Sequence, residues 1–217
     1  MVRYSRPYLK TVIVRLDFAS SIDKLLKYFP KVLEEAVKPS FPISEPREFI
    51  SKEVNIKINE ATKERVQKGT EWVFYSNDKL NTLSISSKYL VISYNSYPSY
   101  EVLKQNFLSI AQVLFGTFDQ IQGRRFGLRY INEIYLEESN TFDWTRYINS
   151  TLLTNITFPE GSDSISKINN SIEFNFHDSF MRLMYGISNP DYPAVIRKKI
   201  FTLDYDAYCQ GPQDFND

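Results

Sequence analysis

The chain is organised around residues 121–136, which alternate. Phe126, Leu128, Tyr130, Ile134 and Leu136 fall on one side of an extended backbone, and Arg125, Arg129, Glu133 and Tyr135 on the other. That two-residue period predicts a strand. Asn132 interrupts the apolar side. A core-facing amide without hydrogen-bond partners costs about 1–3 kcal/mol, so Asn132 is expected to bond a neighbouring backbone or, failing that, to touch a ligand.

Other stretches follow the same logic. Residues 11–18 alternate around Val12, Val14, Leu16 and Phe18 and predict a strand. Ser20-Ser21 offers a cap for a helix carrying Ile22, Leu25, Leu26 and Phe29 at helical spacing. Pro30 should kink or restart that helix, because its ring clashes with the preceding turn. Residues 31–38 form the second piece, and Pro39, Pro42 and Pro46 an extended connection. Strands are predicted at 48–58, 71–75, 80–86 and 89–94. The polar run 61–69 reads as a turn or exposed loop. Ser99 caps a helix whose apolar face holds Val102, Leu103, Phe107, Ile110, Ala111 and Leu114, with Gly116 as its stop.

The order then begins again. After the strand at 121–136, Asp143 can cap a helix through Tyr147, Ile148, Leu152 and Leu153. Strands follow at 164–176, 180–188 and 197–209. The expectation is an α+β protein of two structural repeats, 1–118 and 119–217, packed as one compact unit. Each repeat is of β-α-β(3-4)-α type with antiparallel sheets, and the last helix of the second is missing. The strand at 200–209 would then lack a cover for one apolar face. The reading expects the native chain to continue, or self-association or a partner protein to cover that strand.

Composition narrows the picture further. The 217 residues suffice for a sizeable core. Aromatic content of 15% leans toward sheet. Seven glycines disfavour Gly-rich phosphate loops. Twenty-six basic and 26 acidic residues leave no net charge to demand a polyanionic partner. One cysteine, Cys209, permits no intrachain disulfide. The N-terminal residues lack an apolar signal core, and no run approaches a membrane span. The expected compartment is therefore the cytoplasm, with no membrane partner.

Candidate chemistry is sparse. His177, the only histidine, rules out a histidine pair for a metal, and with Cys209 it shows no nucleophile signature. Asp204 and Asp206 lie two apart on a strand and share a face. With Glu133 or Asp17 across the sheet they offer oxygen ligands for a divalent cation. The commoner outcome is pairing with Arg15, Arg129 or Lys199. Arg125 and Arg129, with the basic residues at 3, 6, 10, 124 and 197–199, would form a positive stripe if the sheets join. Nucleic acid is the corresponding alternative ligand.

The segment Arg125-Phe126-Gly127-Leu128-Arg129-Tyr130-Ile131-Asn132 resembles part of a sporadically distributed family of uncharacterised bacterial and archaeal proteins. The resemblance implies a two-repeat α+β fold and a further C-terminal helix. It carries no settled activity and no catalytic residues. The functional expectation is a non-catalytic binding or interaction module without cofactor or metal, contacting its ligand through Arg125, Arg129, Asn132, Glu133, Asp204 and Asp206. Nucleic-acid binding is the second reading, and a carboxylate- or metal-dependent enzyme the third.

Overall fold

The computed structural model describes residues 8–55, 63–118, 121–135, 144–145, 147–157, 165–189, 191–194 and 200–213. Within these, the side chains of 52–55, 63–65, 67, 156–157 and 212–213 are left undescribed. Ten strands are β1 (Leu9–Phe18), β2 (Ile43–Ser44), β3 (Arg47–Asn55), β4 (Lys63–Tyr75), β5 (Asn81–Ile85), β6 (Tyr89–Tyr94), β7 (Gly123–Tyr135), β8 (Ile168–Asn175), β9 (Ser179–Ser188) and β10 (Ile200–Gln213). Three helices accompany them: α1 (Lys31–Val37), α2 (Tyr100–Thr117) and α3 (Ser150–Thr157). The strands are hydrogen-bonded in the order β2-β4-β5-β6-β1-β7-β10-β9-β8, with β3 on β4.

This corrects the expected α+β fold of two β-α-β(3-4)-α repeats. Among the described residues strand far outweighs helix, so these are mostly antiparallel sheet. Two local causes are visible. The helix expected from 20 to 29 is a single 3-10 turn, Asp23–Leu26. The Leu25 carbonyl accepts a hydrogen bond from Trp72 Nε1 at 2.7 Å, while Phe29 packs its ring 5.2 Å from Trp72 and 5.1 Å from Phe74. Tertiary partners thus take the carbonyl that a helix would have used four residues on. Conversely, most of the polar run 61–69 is strand. Residues 63–71 of β4 pair with β3 in unbroken register. Ile50 and Val66 on this ribbon are 70% and 56% exposed. The register puts both on one face of the ribbon, and a face left to solvent needs no apolar period, so periodicity could not reveal it.

The chain divides into two compact units that interleave in sequence. One holds residues 13–127 and 210–217, the other 1–12 and 128–209. In the first unit, Val14, Leu16, Phe18, Leu83, Ile85, Leu90 and Ile92 are buried on one sheet face. The cover comes from α1, through Leu33 and Val37, and from α2, through Leu103, Phe107, Ile110, Ala111 and Leu114. Pro30 restarts the helical path as the N-cap of α1. Ser99 caps α2, its hydroxyl accepting from the Val102 N–H at 3.3 Å. Gly116 does not stop the helix, which runs on to Thr117.

In the second unit, Trp144, Ile148, Leu153, Ile187 and Phe201 form the core, with Ile134, Ile168, Tyr185 and Leu203 packed against them. The Trp144 and Phe201 rings meet edge to face at 5.4 Å. The apolar face of β10 therefore has its cover within the unit, from Trp144, Ile148 and α3, in place of the missing helix expected there. Asp143, expected to cap that helix, lies outside the described residues.

Gly186 of β9 has φ +153°, and a Cβ there would lie 2.0 Å from the Ile168 carbonyl oxygen. Only glycine lets β8 approach so closely. Gly186→Ala should destabilise the protein by more than roughly 2 kcal/mol in urea denaturation. Gly116→Ala, with open space around it, should instead stabilise it by about 0.5–1 kcal/mol.

Candidate polar cleft on the open sheet face of the second unit

A strand covered on one face must send its alternate residues to the other. In the second unit, Tyr185, Ile187, Phe201 and Leu203 point into the core. Met184, Gly186, Ser188, Thr202 and Asp204 therefore share the open face. The register sets them in rows across β10, β9 and β8: Thr202, Gly186 and Asn169, then Asp204, Met184 and Ser171, then Asp206, Arg182 and Glu173. The first two rows floor a cleft of about 310 Å³ that Arg129 also lines.

Arg129 and Asp204 are its electrostatic centre. Arg129 donates from Nε to Asp204 Oδ1 at 2.8 Å and from Nη2 to Oδ2 at 2.5 Å. This is the two-pronged geometry that a guanidinium and a carboxylate match best. Asp204 is 6% exposed, whereas the Arg129 side chain is 37% exposed and reaches the cleft. Hydrogen bonding to Asp204, with its charge and that of Asp206, holds the Arg129 pKa above its ordinary value. The guanidinium has five N–H groups and commits two to Asp204, and Arg129 itself lines the cleft. Ser188 and Thr202 share a hydroxyl hydrogen bond of 2.5 Å at the other end.

The remaining candidate residues separate. Asn132 donates to the Leu203 carbonyl at 3.4 Å, the backbone bond expected of a polar residue on an apolar strand side. Glu133 lies 3.7 Å from Lys10. Asp206 is close enough to act on Arg129 electrostatically. Arg125 belongs to the first unit, where its guanidinium lies over Gly127 and fills the space a side chain would take. His177 has φ +66° in the turn between β8 and β9, so its position there is conformational. Sequence reasoning missed Asn169, Ser171, Met184, Ser188 and Thr202. The one available signal was Gly186, since a glycine inside a strand often marks close backbone approach. No group of three or more His, Cys, Asp or Glu that could hold a metal occurs among the described residues. No helix among them is long and apolar enough to cross a membrane.

The first unit carries a second polar cluster on its open face. Tyr89 Oη donates to Glu71 Oε1 at 2.6 Å, and Arg15 sits 4.7 Å above the Tyr89 ring while donating to Asp17. Burial, then the Glu71 carboxylate, push the Tyr89 pKa from 10.0 to about 12.

Removing Arg129 would strand the Asp204 carboxylate. Arg129→Ala should cost about 2–3 kcal/mol in urea denaturation, below the figure for a fully buried pair because Arg129 is partly solvated. Arg129→Met with Asp204→Leu should recover most of the loss. The Tyr89 contribution has the opposite dependence from a carboxylate. The folded state holds the phenolic proton more tightly, so the stabilisation is complete below pH 10 and disappears as pH rises toward about 12. Phenolate absorbance should show a tyrosine titrating at about 12 that Tyr89→Phe removes, while Tyr94, which burial also raises, remains. No protein-family model, curated protein or solved structure matches the chain.

Proposed function

We propose that the chain is a non-catalytic binding module of the bacterial or archaeal cytoplasm. Its recognition site is the cleft floored by Thr202, Asp204, Met184 and Gly186, and it takes an uncharged ligand rich in hydrogen-bonding oxygens. One observation carries this reading. Both oxygens of Asp204 are engaged by Arg129. A carboxylate held so is a poor proton acceptor, and its charge balances the guanidinium. What the pair still presents is directed N–H donors without net charge. The hydroxyls of Ser171, Ser188 and Thr202 and the amide of Asn169, all lining the same cleft, add donors and acceptors of the same neutral kind, and Met184 adds an apolar floor. Such a mixture of apolar surface and a few placed polar groups suits a small neutral ligand.

The same pairing weakens the nucleic-acid reading. Arg15 is bonded to Asp17, Arg129 to Asp204, Arg182 to Glu173, and Lys10 lies near Glu133. Cations already matched by neighbouring carboxylates contribute little to counterion release from a phosphate backbone.

The test follows the Arg129 Nε–H resonance by NMR. Titration with neutral sugars, such as maltose or N-acetylglucosamine, should shift it saturably, and inorganic phosphate should not. Asn169→Ala with Thr202→Val should weaken the sugar response roughly tenfold, the equivalent of one or two lost hydrogen bonds. A response to phosphate without one to the sugars would overturn the reading.

A further inference from the structure

Strand β8 ends the hydrogen-bonded order, and the phase of its ladder is known. Phe176 N–H donates to the Ser179 carbonyl at 2.8 Å, which makes Phe176 and Ser179 a hydrogen-bonded pair. The register with β9 then runs unbroken from Asn175 to Ile168. Since antiparallel pairs alternate, residues 168, 170, 172 and 174 bond inward to β9. Asn169, Ser171, Glu173 and Asn175 turn their backbone N–H and C=O outward. None of these outward groups has a hydrogen-bond partner among the described residues.

Exposed edges are usually guarded by lysine, proline or a bulge. Residues 168–175 contain no proline and no lysine. Their one charge, Glu173, is turned back to Arg182 at 2.8 Å. Ile172 is 40% exposed on this edge.

We infer that β8 pairs antiparallel with β8 of a second copy about a two-fold axis at Ile172. The phase permits this register, and it sets Ile172, the exposed large apolar residue of this strand, against its own copy. Centring on Ile172 sets Ser171 against Glu173 of the copy and Asn169 against Asn175, so each outward residue exchanges both backbone hydrogen bonds. A shift of the axis to Glu173 would set two glutamates face to face. At the axis, Ile172 meets its own copy in a non-hydrogen-bonded pair, where side chains come closest. On the same face as Ile172, Asn170 meets Phe174. The consequence reaches the cleft. Asn169 and Ser171 form its outer rim, and paired residues on neighbouring strands share a face. Glu173 and Asn175 of the copy therefore extend that rim, and each cleft is completed by the other chain. The pairing itself does not depend on which ligand the cleft takes.

Two ligand-free experiments test it. In sedimentation equilibrium the protein should dimerise. Ser171→Pro removes an outward N–H and leaves the β8–β9 ladder intact, so it should weaken dimerisation at least about tenfold, with a melting temperature unchanged at concentrations where both proteins are monomeric. In a Cys209→Ser background, Ile172→Cys should form a disulfide-linked dimer under copper–phenanthroline oxidation, and Phe174→Cys should not. A monomer at every accessible concentration, or equal cross-linking at 172 and 174, would overturn the pairing. If a monomeric protein still bound neutral sugars, the pairing would fall and the ligand reading would stand.

Discussion

Both units are built on sheets that helical segments cover on one side only, and most of the chemistry follows from that constraint. Side chains alternate along a strand, so covering one face commits every second residue to the other. In the first unit, the residues opposite the α1 and α2 layer include Arg15, Asp17, Glu71 and Tyr89. In the second, those opposite Trp144 and α3 include Arg129, Asp204, Thr202 and Met184. A half-wet surface of this kind tolerates charge only when it is matched, because desolvating one partner alone is expensive. The matched pairs on these faces answer that requirement.

The Arg129–Asp204 pair shows how that requirement is met. Asp204 is buried, so it must be satisfied, and a guanidinium does so with two parallel bonds. That match fixes the guanidinium where it also lines the cleft. Gly186 works alongside it. By admitting the backbone of β8, it brings Asn169 and Ser171 close enough to wall the cleft.

Several elements were legible from local order. The alternation of 121–136 and 11–18, the Ser99 cap and the strands at 80–86 and 89–94 each depend on residues near in sequence, and each has a mechanism confined to a few neighbours. Asn132 was legible as well, because a polar residue on an apolar strand side has few ways to be satisfied. The helix expected over 20–29 was misjudged because a distant side chain intervened. Nothing near Leu25 announces that the indole of Trp72 will take its carbonyl. Nor does the polar run of β4 announce that β3 will pair with it, since the face carrying Ile50 and Val66 is left to solvent.

The sequence by itself determined which residues could share a strand face, that charges would need partners, and that chemistry relying on histidine pairs or phosphate loops had no residues to build on. Only the tertiary structure decided which carboxylate meets which arginine, that sheet would outweigh helix, and where a strand edge is left open. The physical reason is range. Strand period, capping and turn chemistry act over a few residues. Arg129 and Asp204 are brought together by a register between strands that are far apart along the chain, and no local pattern encodes a register.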